Sequence, residues 1–271
     1  RRCPLLRRRW VVRIVEFGRR IIEGGRLVAC WDDPGAQHAA QMVEDRAVRI
    51  ESYGIEGSSF WRAENIRRDA AGATFDLFRA GLPIGELRLP LPGDHFIRDA
   101  VAAAAVCLGV GVIFGQIAGA LANVHGAHRR FERKGEANGI TVMDSYAHHP
   151  TEARADIEAS RTAFPGRRLI VVYQPHTYSR IAYLWDEWTS CWAGVDELIV
   201  LETYAAREAP EAGRSAPDLA AAITNPKARY ARDFDDAVRQ AVELARPGDV
   251  IFTMGAGDVV EVGPRILEAL R

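Results

Sequence analysis

Lysine is almost missing from this chain: Lys134 and Lys227 are the only two among 35 basic residues in a length of 271. Neither follows a glycine-rich GxxxxGK[ST] run, so the sequence contains no loop of the kind that cradles nucleotide phosphates with backbone N–H groups and a lysine. Cysteine is scarce as well. Cys3, Cys30, Cys107 and Cys191 lie far apart and form no CxxC pair or Cys/His cluster, which argues against structural zinc and a disulfide framework and fits a reducing, cytoplasmic compartment. No sign of charge dominates. With 35 basic and 36 acidic residues the net charge is −1, too little for the overall field to hold nucleic acid or an anionic membrane. The most apolar stretch, Ala100 to Phe114, is interrupted by Gly109 and Gly111 and is shorter than the ~20 residues a membrane-spanning helix needs. No GxGxxG follows an early strand, which argues against a dinucleotide oxidoreductase, and no internal repeat or low-complexity tract is present.

What remains is the balance of a globular protein, 48% hydrophobic and 26% charged, long enough for one large or two modest domains. The arginine-rich start, RRCPLLRRRW, is not read as a secretion signal, because Arg13 breaks the apolar run and no small-residue cleavage site follows. Because it opens on Arg1 rather than methionine, the chain is expected to be truncated.

From Gly25 to Gly93 the pattern is of strands, LVACW, AVRIESYG, TFDLFRAG and IGELRLPLPG, with a hairpin turn at Gly81-Leu82. Helices are expected over Phe96 to Leu108 and Phe114 to Asn123. After His128 the rhythm changes to strand and helix in alternation: ITVMD, a helix over Thr151 to Phe164, RLIVVYQ, a helix over Ser179 to Trp192, ELIVLET, helices near Asp218 and Asp233, DVIFTMG, and a last helix from Asp258. Near-continuous apolar strands separated by helices imply a parallel sheet covered on both faces. The expected fold is therefore α/β, in two parts divided near Ala127: residues 1–127, and a doubly wound, Rossmann-like domain over 128–271.

In such a sheet, ligands collect beyond the carboxyl ends of the strands, where helix N-termini favour anions. Four polar clusters fall there. DSYAHHPTE, Asp144 to Glu152, offers a carboxylate, a phenol and two imidazoles. His148 or His149 could meet a phosphate or carboxylate, and the plainer alternative is a solvated helix start. QPHTYSR, Gln174 to Arg180, sets His176 and Arg180 four apart at a strand-to-helix turn, suited to an anion, with Thr177 and Ser179 read as capping residues. In TYAARE, Arg207 and Glu208 read equally well as a solvated ion pair. GAGD, Gly255 to Asp258, is either a nucleotide turn or a site of close packing. Two further segments lie earlier: GAHRRFE, with two arginines at the domain junction, and GDHFIRDA, where Asp99 is also explained as a first-turn carboxylate favoured by the helix dipole.

Taken in order, GGRLVACWDDPGA, LPLPGDH with DAVAAAA, GAHRRFERKG, DSYAHHPTEARADI, YQPHTYSRI, YAAREAPEAGRS and MGAGD resemble the Mur ligases, over nearly the whole chain from Val15. The resemblance implies that residues 1–127 are part of the family's central, ATP-binding domain, an ATPase-type α/β domain lacking its first portion. It implies ATP-dependent phosphorylation of a carboxylate to an acyl phosphate, then attack by an amine, with ATP and magnesium as cofactors. QPHTYSR favours the branch that joins L-alanine to UDP-N-acetylmuramate over the branch that recycles muropeptides. It further implies that His95 and Asp99 lie on the adenine side, that Arg130 and Asp144 contact ribose or phosphate, and that Tyr146, His148, His176 and Arg180 lie near the substrate, with His148 and Arg180 catalytic. There are departures. Phe96 and Asp99 stand where the family has asparagines, and a carboxylate cannot donate to adenine as an amide does. Ser145 stands where many relatives have a second acid. The missing P-loop implies that the chain alone does not transfer phosphate, and leaves a noncatalytic nucleotide-binding or partner-binding module as the alternative. No metal ligand is assigned.

Overall fold

The computed structural model describes residues 12–43, 48–209 and 214–271. The RRCPLLRRRW segment with Cys3 lies outside the described residues, as does Pro210 to Gly213 within YAAREAPEAGRS. The chain forms two compact units divided between Val124 and His125.

The first unit is built on a five-stranded sheet in the order β1-β2-β3-β4-β5: β1 (Arg26–Cys30), β2 (Arg49–Gly54), β3 (Trp61–Asp69), β4 (Gly72–Arg79) and β5 (Leu82–Leu89). The first three strands are parallel and the last two form an antiparallel meander. The β4–β5 hairpin turns on Ala80 and Gly81, at φ 49° and 78°, one residue earlier than expected. Two elements go beyond the sequence reading. Helix α1 (Pro34–Gln41) starts where Asp33 accepts from the Ala36 N–H at 2.7 Å, with proline in its first turn. Strand β3 turns Arg62, Glu64, Arg67 and Arg68 away from the core, and a bulge between Glu64 and Arg67 breaks its alternation, so its apolar signal is reduced to Trp61 and Ala63. Helix α2 (Asp94–Gly109) presents Ile97, Ala100, Val101, Ala104 and Ala105 at helical spacing to Trp61, Phe75, Leu77, Leu87 and Leu89. Each large side chain buried there contributes roughly 1.5–3 kcal/mol. Helix α3 (Phe114–Ala122) completes this core through Ile117.

The second unit is a six-stranded sheet in the order β10-β9-β8-β11-β7-β6. Four of its strands are the expected apolar runs, β7 (Ile140–Ser145), β8 (Leu169–Tyr173), β9 (Glu197–Leu201) and β11 (Val250–Met254). All are parallel, as is the short edge strand β10 (Ala228–Ala231). The other edge is antiparallel: β6 (Glu132–Ala137), from the RRFERKG segment read as a boundary, pairs with β7 through a bulge between Arg133 and Gly135. The connections are α4 (Pro150–Ala163), α5 (Tyr178–Tyr183), α6 (Trp185–Ser190), α7 (Ala216–Ala222), α8 (Phe234–Leu244) and, after a turn of 3-10 helix at Asp258–Glu261, α9 (Val262–Ala269). The single helix expected over Ser179 to Trp192 is two, because Leu184 leaves helical geometry at φ −110° and ψ 27°.

Alternate strand residues define the two faces. Val142, Ile170, Val172, Ile199, Leu201 and Ile251 share a core with Ala237 and Ala241 of α8 and Val262 and Ile266 of α9. Tyr173 instead meets Trp188 and Trp192, with ring centroids 4.6 and 5.0 Å away. The chain passes from β7 to β8 across the position that β11 fills, moves outward through β9 to β10, and then turns back to place β11 between β8 and β7. That reversal is the topological switch point, and the crevice it opens lies beyond the carboxyl ends of β7, β11 and β8.

Candidate functional site

Three turns converge on this crevice. After β7, His149 is the N-cap of α4: its Nδ1 accepts from the Thr151 N–H at 3.2 Å, and Pro150 opens the helix. Glu152 closes the capping box, its Oε2 accepting from the N–H groups of His148 and His149 at 3.0 and 3.1 Å. Burial lowers the His149 pKa, with the Arg180 and His148 charges acting in the same direction against Glu152, and a neutral ring is what an accepting Nδ1 requires. Of the two histidines weighed from sequence, His149 is thus the capping residue. His148 is turned the other way. Its Nδ1 lies 2.9 Å from the Tyr146 carbonyl, an acceptor, so Nδ1 carries the proton and Nε2 is left to meet a ligand.

After β8, the QPHTYSR turn brings His176 and Arg180 to the same place. His148 and His176 have ring centroids 6.3 Å apart, and Arg180 Nη1 donates weakly to the His148 carbonyl at 3.5 Å. The His176 Nδ1 is buried and has no hydrogen-bond partner among the described residues. Burial and the neighbouring Arg180 charge lower the His176 pKa. Tyr146 stands edge-on to His148 at 5.2 Å and under the Arg129 guanidinium at 5.2 Å, and Tyr204 stacks on His176 at 5.3 Å. A row of rings thus runs from the β7 turn to the end of β9, with Arg129 at one end and Arg180 alongside. Four of the residues expected near a substrate, Tyr146, His148, His176 and Arg180, are brought together.

Asp144, expected to contact ribose or phosphate, lies beneath this row and is fully buried. Arg129 Nε donates to its Oδ2 at 2.9 Å and Thr253 Oγ1 donates to its Oδ1 at 2.7 Å. A carboxylate so enclosed supports the floor of the site. The same guanidinium donates to the carbonyls of Gly257 and Gly255, at 3.1 and 2.6 Å, and so ties the β7 turn to the β11 turn. Sequence reasoning singled out Arg130, but the buried arginine is Arg129; Arg130 is exposed, with Nη1 3.6 Å from Glu152. Ser145 donates to Asp156, whose carboxyl burial pushes up to about 7 against the Ser145 hydrogen bond.

GAGD is a site of close packing. At φ 148°, Gly255 occupies a conformation that side chains rarely adopt, and a Cβ there would sit 2.7 Å from the Gln174 carbonyl. A Cβ on Gly257 would be 2.5 Å from Gln174 Oε1 and 2.7 Å from the Tyr204 ring. Gln174 in turn donates to Asp258 at 2.7 Å and accepts from the Val259 N–H at 3.0 Å. The second residue that sequence reasoning undervalued is Glu208. It forms no ion pair with Arg207 among the described residues, but instead accepts from Thr177 Oγ1, Ser179 Oγ and the Ser179 N–H. Its partners lie 29 and 31 residues away, so no local pattern signals them.

His95 and Asp99 belong to the first unit, at the opening of α2. Gly93 is the N-cap at φ 115° and makes no side-chain cap bond. The His95 ring packs on Phe96 at 4.1 Å, and Asp99 lies in the first turns, exposed and close enough to help burial and Cys30 raise the Tyr53 hydroxyl to about 12. Among the described residues no group of three His, Cys, Asp or Glu side chains is gathered for a metal ion, and no helix is long and apolar enough to cross a membrane.

A crevice at a parallel-sheet switch point, lined by imidazoles and an arginine, marks this as an α/β domain of the doubly wound class, with groups chemically suited to an anion. The family model described as Mur ligase, glutamate ligase domain, matches residues 129–257, and the Mur ligase middle domain matches residues 14–107. The chain belongs to the Mur ligase family. Within it, the chain is 41% identical over 258 residues to the UDP-N-acetylmuramate–L-alanine ligase of Acidothermus cellulolyticus, covering 94% of this chain and 54% of that relative. It thus spans about half the length of the curated relatives it matches. Solved structures agree on the fold. The UDP-N-acetylmuramate–alanine ligase MurC from Thermotoga maritima aligns with TM-score 0.70 at 20% identity, over 87% of this chain and 54% of that one. MurF from Acinetobacter baumannii gives 0.74 at 19%, over 94% and 54%.

Proposed function

We propose that this chain is the rear portion of a cytoplasmic, ATP-dependent ligase that joins L-alanine to UDP-N-acetylmuramate. Its residues 1–127 would be part of the ATP-binding domain and residues 128–271 the domain that presents Arg180 and two imidazoles to the reacting carboxylate. The observation that carries this reading is the convergence of His148, His176 and Arg180 at the switch point. In the reaction, a substrate carboxylate oxygen attacks the γ-phosphorus of ATP and ADP leaves. The amine of L-alanine then attacks the acyl phosphate, a tetrahedral oxyanion forms, and its collapse expels phosphate and leaves the amide.

Negative charge grows at each stage on oxygens, and fixed cations aimed at those oxygens lower the barrier. Arg180, always charged, supplies a planar fork for carboxylate or phosphate. His148, with its proton on Nδ1, has Nε2 available to take the proton that the amine nitrogen loses as the amide forms. Tyr146 and His176 wall the substrate, and Arg130, His95 and Asp99 are assigned to the nucleotide. Magnesium would neutralise phosphate charge, but the described residues do not gather a ligand set for it.

Joined to the P-loop-bearing portion of a Mur ligase, the chain should release phosphate from ATP only when UDP-N-acetylmuramate and L-alanine are both present. Release with an intact muropeptide in place of L-alanine would assign the recycling branch. No release with either would leave a noncatalytic nucleotide-binding module.

A further inference from the structure

The turn that carries His176 and Arg180 has no cap of its own. Thr177 occupies the N-cap of α5 but makes no side-chain capping bond; its hydroxyl donates to Glu208 at 2.7 Å. Glu208 also accepts from the Ser179 N–H at 2.8 Å and from Ser179 Oγ at 2.6 Å. The same segment holds the turn at a second point, where the Tyr204 N–H donates to the Pro175 carbonyl at 2.9 Å and the Tyr204 ring stacks on His176 with planes 9° apart. Glu208 is only partly buried, yet its carboxylate is lowered, the hydrogen bonds from Ser179 and Thr177 outweighing desolvation. It therefore accepts as an anion across the neutral range.

We propose that Glu208 is the positioning residue of this site: its carboxylate clamps Thr177 and Ser179 from the β9 side and so fixes the turn that holds His176 and Arg180 toward one anion. What the anion is rests on the ligase reading above; the clamp itself does not. A clamp matters because a charged fork misplaced by about 1 Å can lose up to 100-fold of its effect, and a short helix without a cap frays. Glu208 touches no reacting atom; it acts through the turn.

The test uses the whole chain, isotope-labelled, with inorganic phosphate as the probe. The His176 ring resonances, displaced by the stacked Tyr204 ring, are followed by NMR, and phosphate affinity is read from their shift on titration. Glu208→Ala should move the His176 resonances, weaken phosphate binding about tenfold or more, and leave the thermal midpoint within a degree or so of wild type. Glu208→Gln, whose amide oxygen still accepts from the Ser179 N–H, should restore most of the affinity. Thr177→Val, which removes one bond of the clamp, should fall between. Unmoved His176 resonances and unchanged phosphate affinity in Glu208→Ala would overturn the proposal. If wild type shows no saturable phosphate binding, the ligase reading loses its anion site, and the His176 resonances of Glu208→Ala still decide the clamp.

Discussion

The β7 turn and the β8 turn each present a histidine to the same crevice, yet they are held in different ways. The first is held from within: His149 and Glu152 satisfy the start of α4 using residues three apart. The second is held from outside, by Glu208 and Tyr204 of the β9 segment. A locally held turn forms with its own helix and persists when its neighbours change. A remotely held turn has its geometry only once β8 and β9 are paired, which makes it the adjustable side of the crevice.

The comparison can be broken by removing what ties the β7 turn to its neighbour after β11. Arg129→Ala should be the most damaging change, about 3–5 kcal/mol by urea unfolding, because it strands the buried Asp144 carboxylate and frees the Gly255 and Gly257 carbonyls. A loss under 1 kcal/mol would mean the pair is not enclosed as described. Asp156, under the β7 turn, gives the next effect. Its folded pKa of about 7 lies above the ordinary carboxylate value, so the folded state holds the proton more tightly. The stabilisation is full below about pH 4 and is lost as pH rises through about 7, on the order of 2–4 kcal/mol. Asp156→Asn should flatten that slope and be more stable than wild type at pH 8; urea midpoints at pH 5 and pH 8 check it.

Finer changes sharpen the contrast. Glu152→Ala should cost about 1 kcal/mol and speed amide exchange in the first turn of α4 while leaving the His176 resonances in place. Movement of His176 in that variant would show that the two turns are not held independently. His149→Asn, a better N-cap, should gain a few tenths of a kcal/mol without weakening phosphate binding. Weaker binding would restore His149 as a ligand contact.

Much of this was legible in the residues, for physical reasons that also mark where legibility stops. Strands β7, β8, β9 and β11 are buried on both faces and so read as unbroken apolar runs. Strands β3, β6 and β10 carry Arg62, Glu64, Arg133, Lys134 and Arg229 on exposed sides, two of them contain bulges, and the alternation that would announce them is lost. HHPTE and QPHTYSR could be placed at strand ends because the strands before them were plain. The choice between Arg129 and Arg130 could not be made, since the chain there bends through positive φ at Arg129 and Phe131 and neither strand nor helix parity applies. Glu208 was hidden because the bonds that give it a role cross from one strand end to the next.

Strand β11 sits in the middle of its sheet, between β8 and β7, although it follows every other strand in the chain. On the ribosome, β7 and β8 must therefore wait as separate pieces, their apolar edges unpaired, until the last strand emerges and is inserted between them. The sheet of this unit is thus closed only once β11 is in place, and a product cut short before Val250 loses the strand that joins the two halves of the crevice.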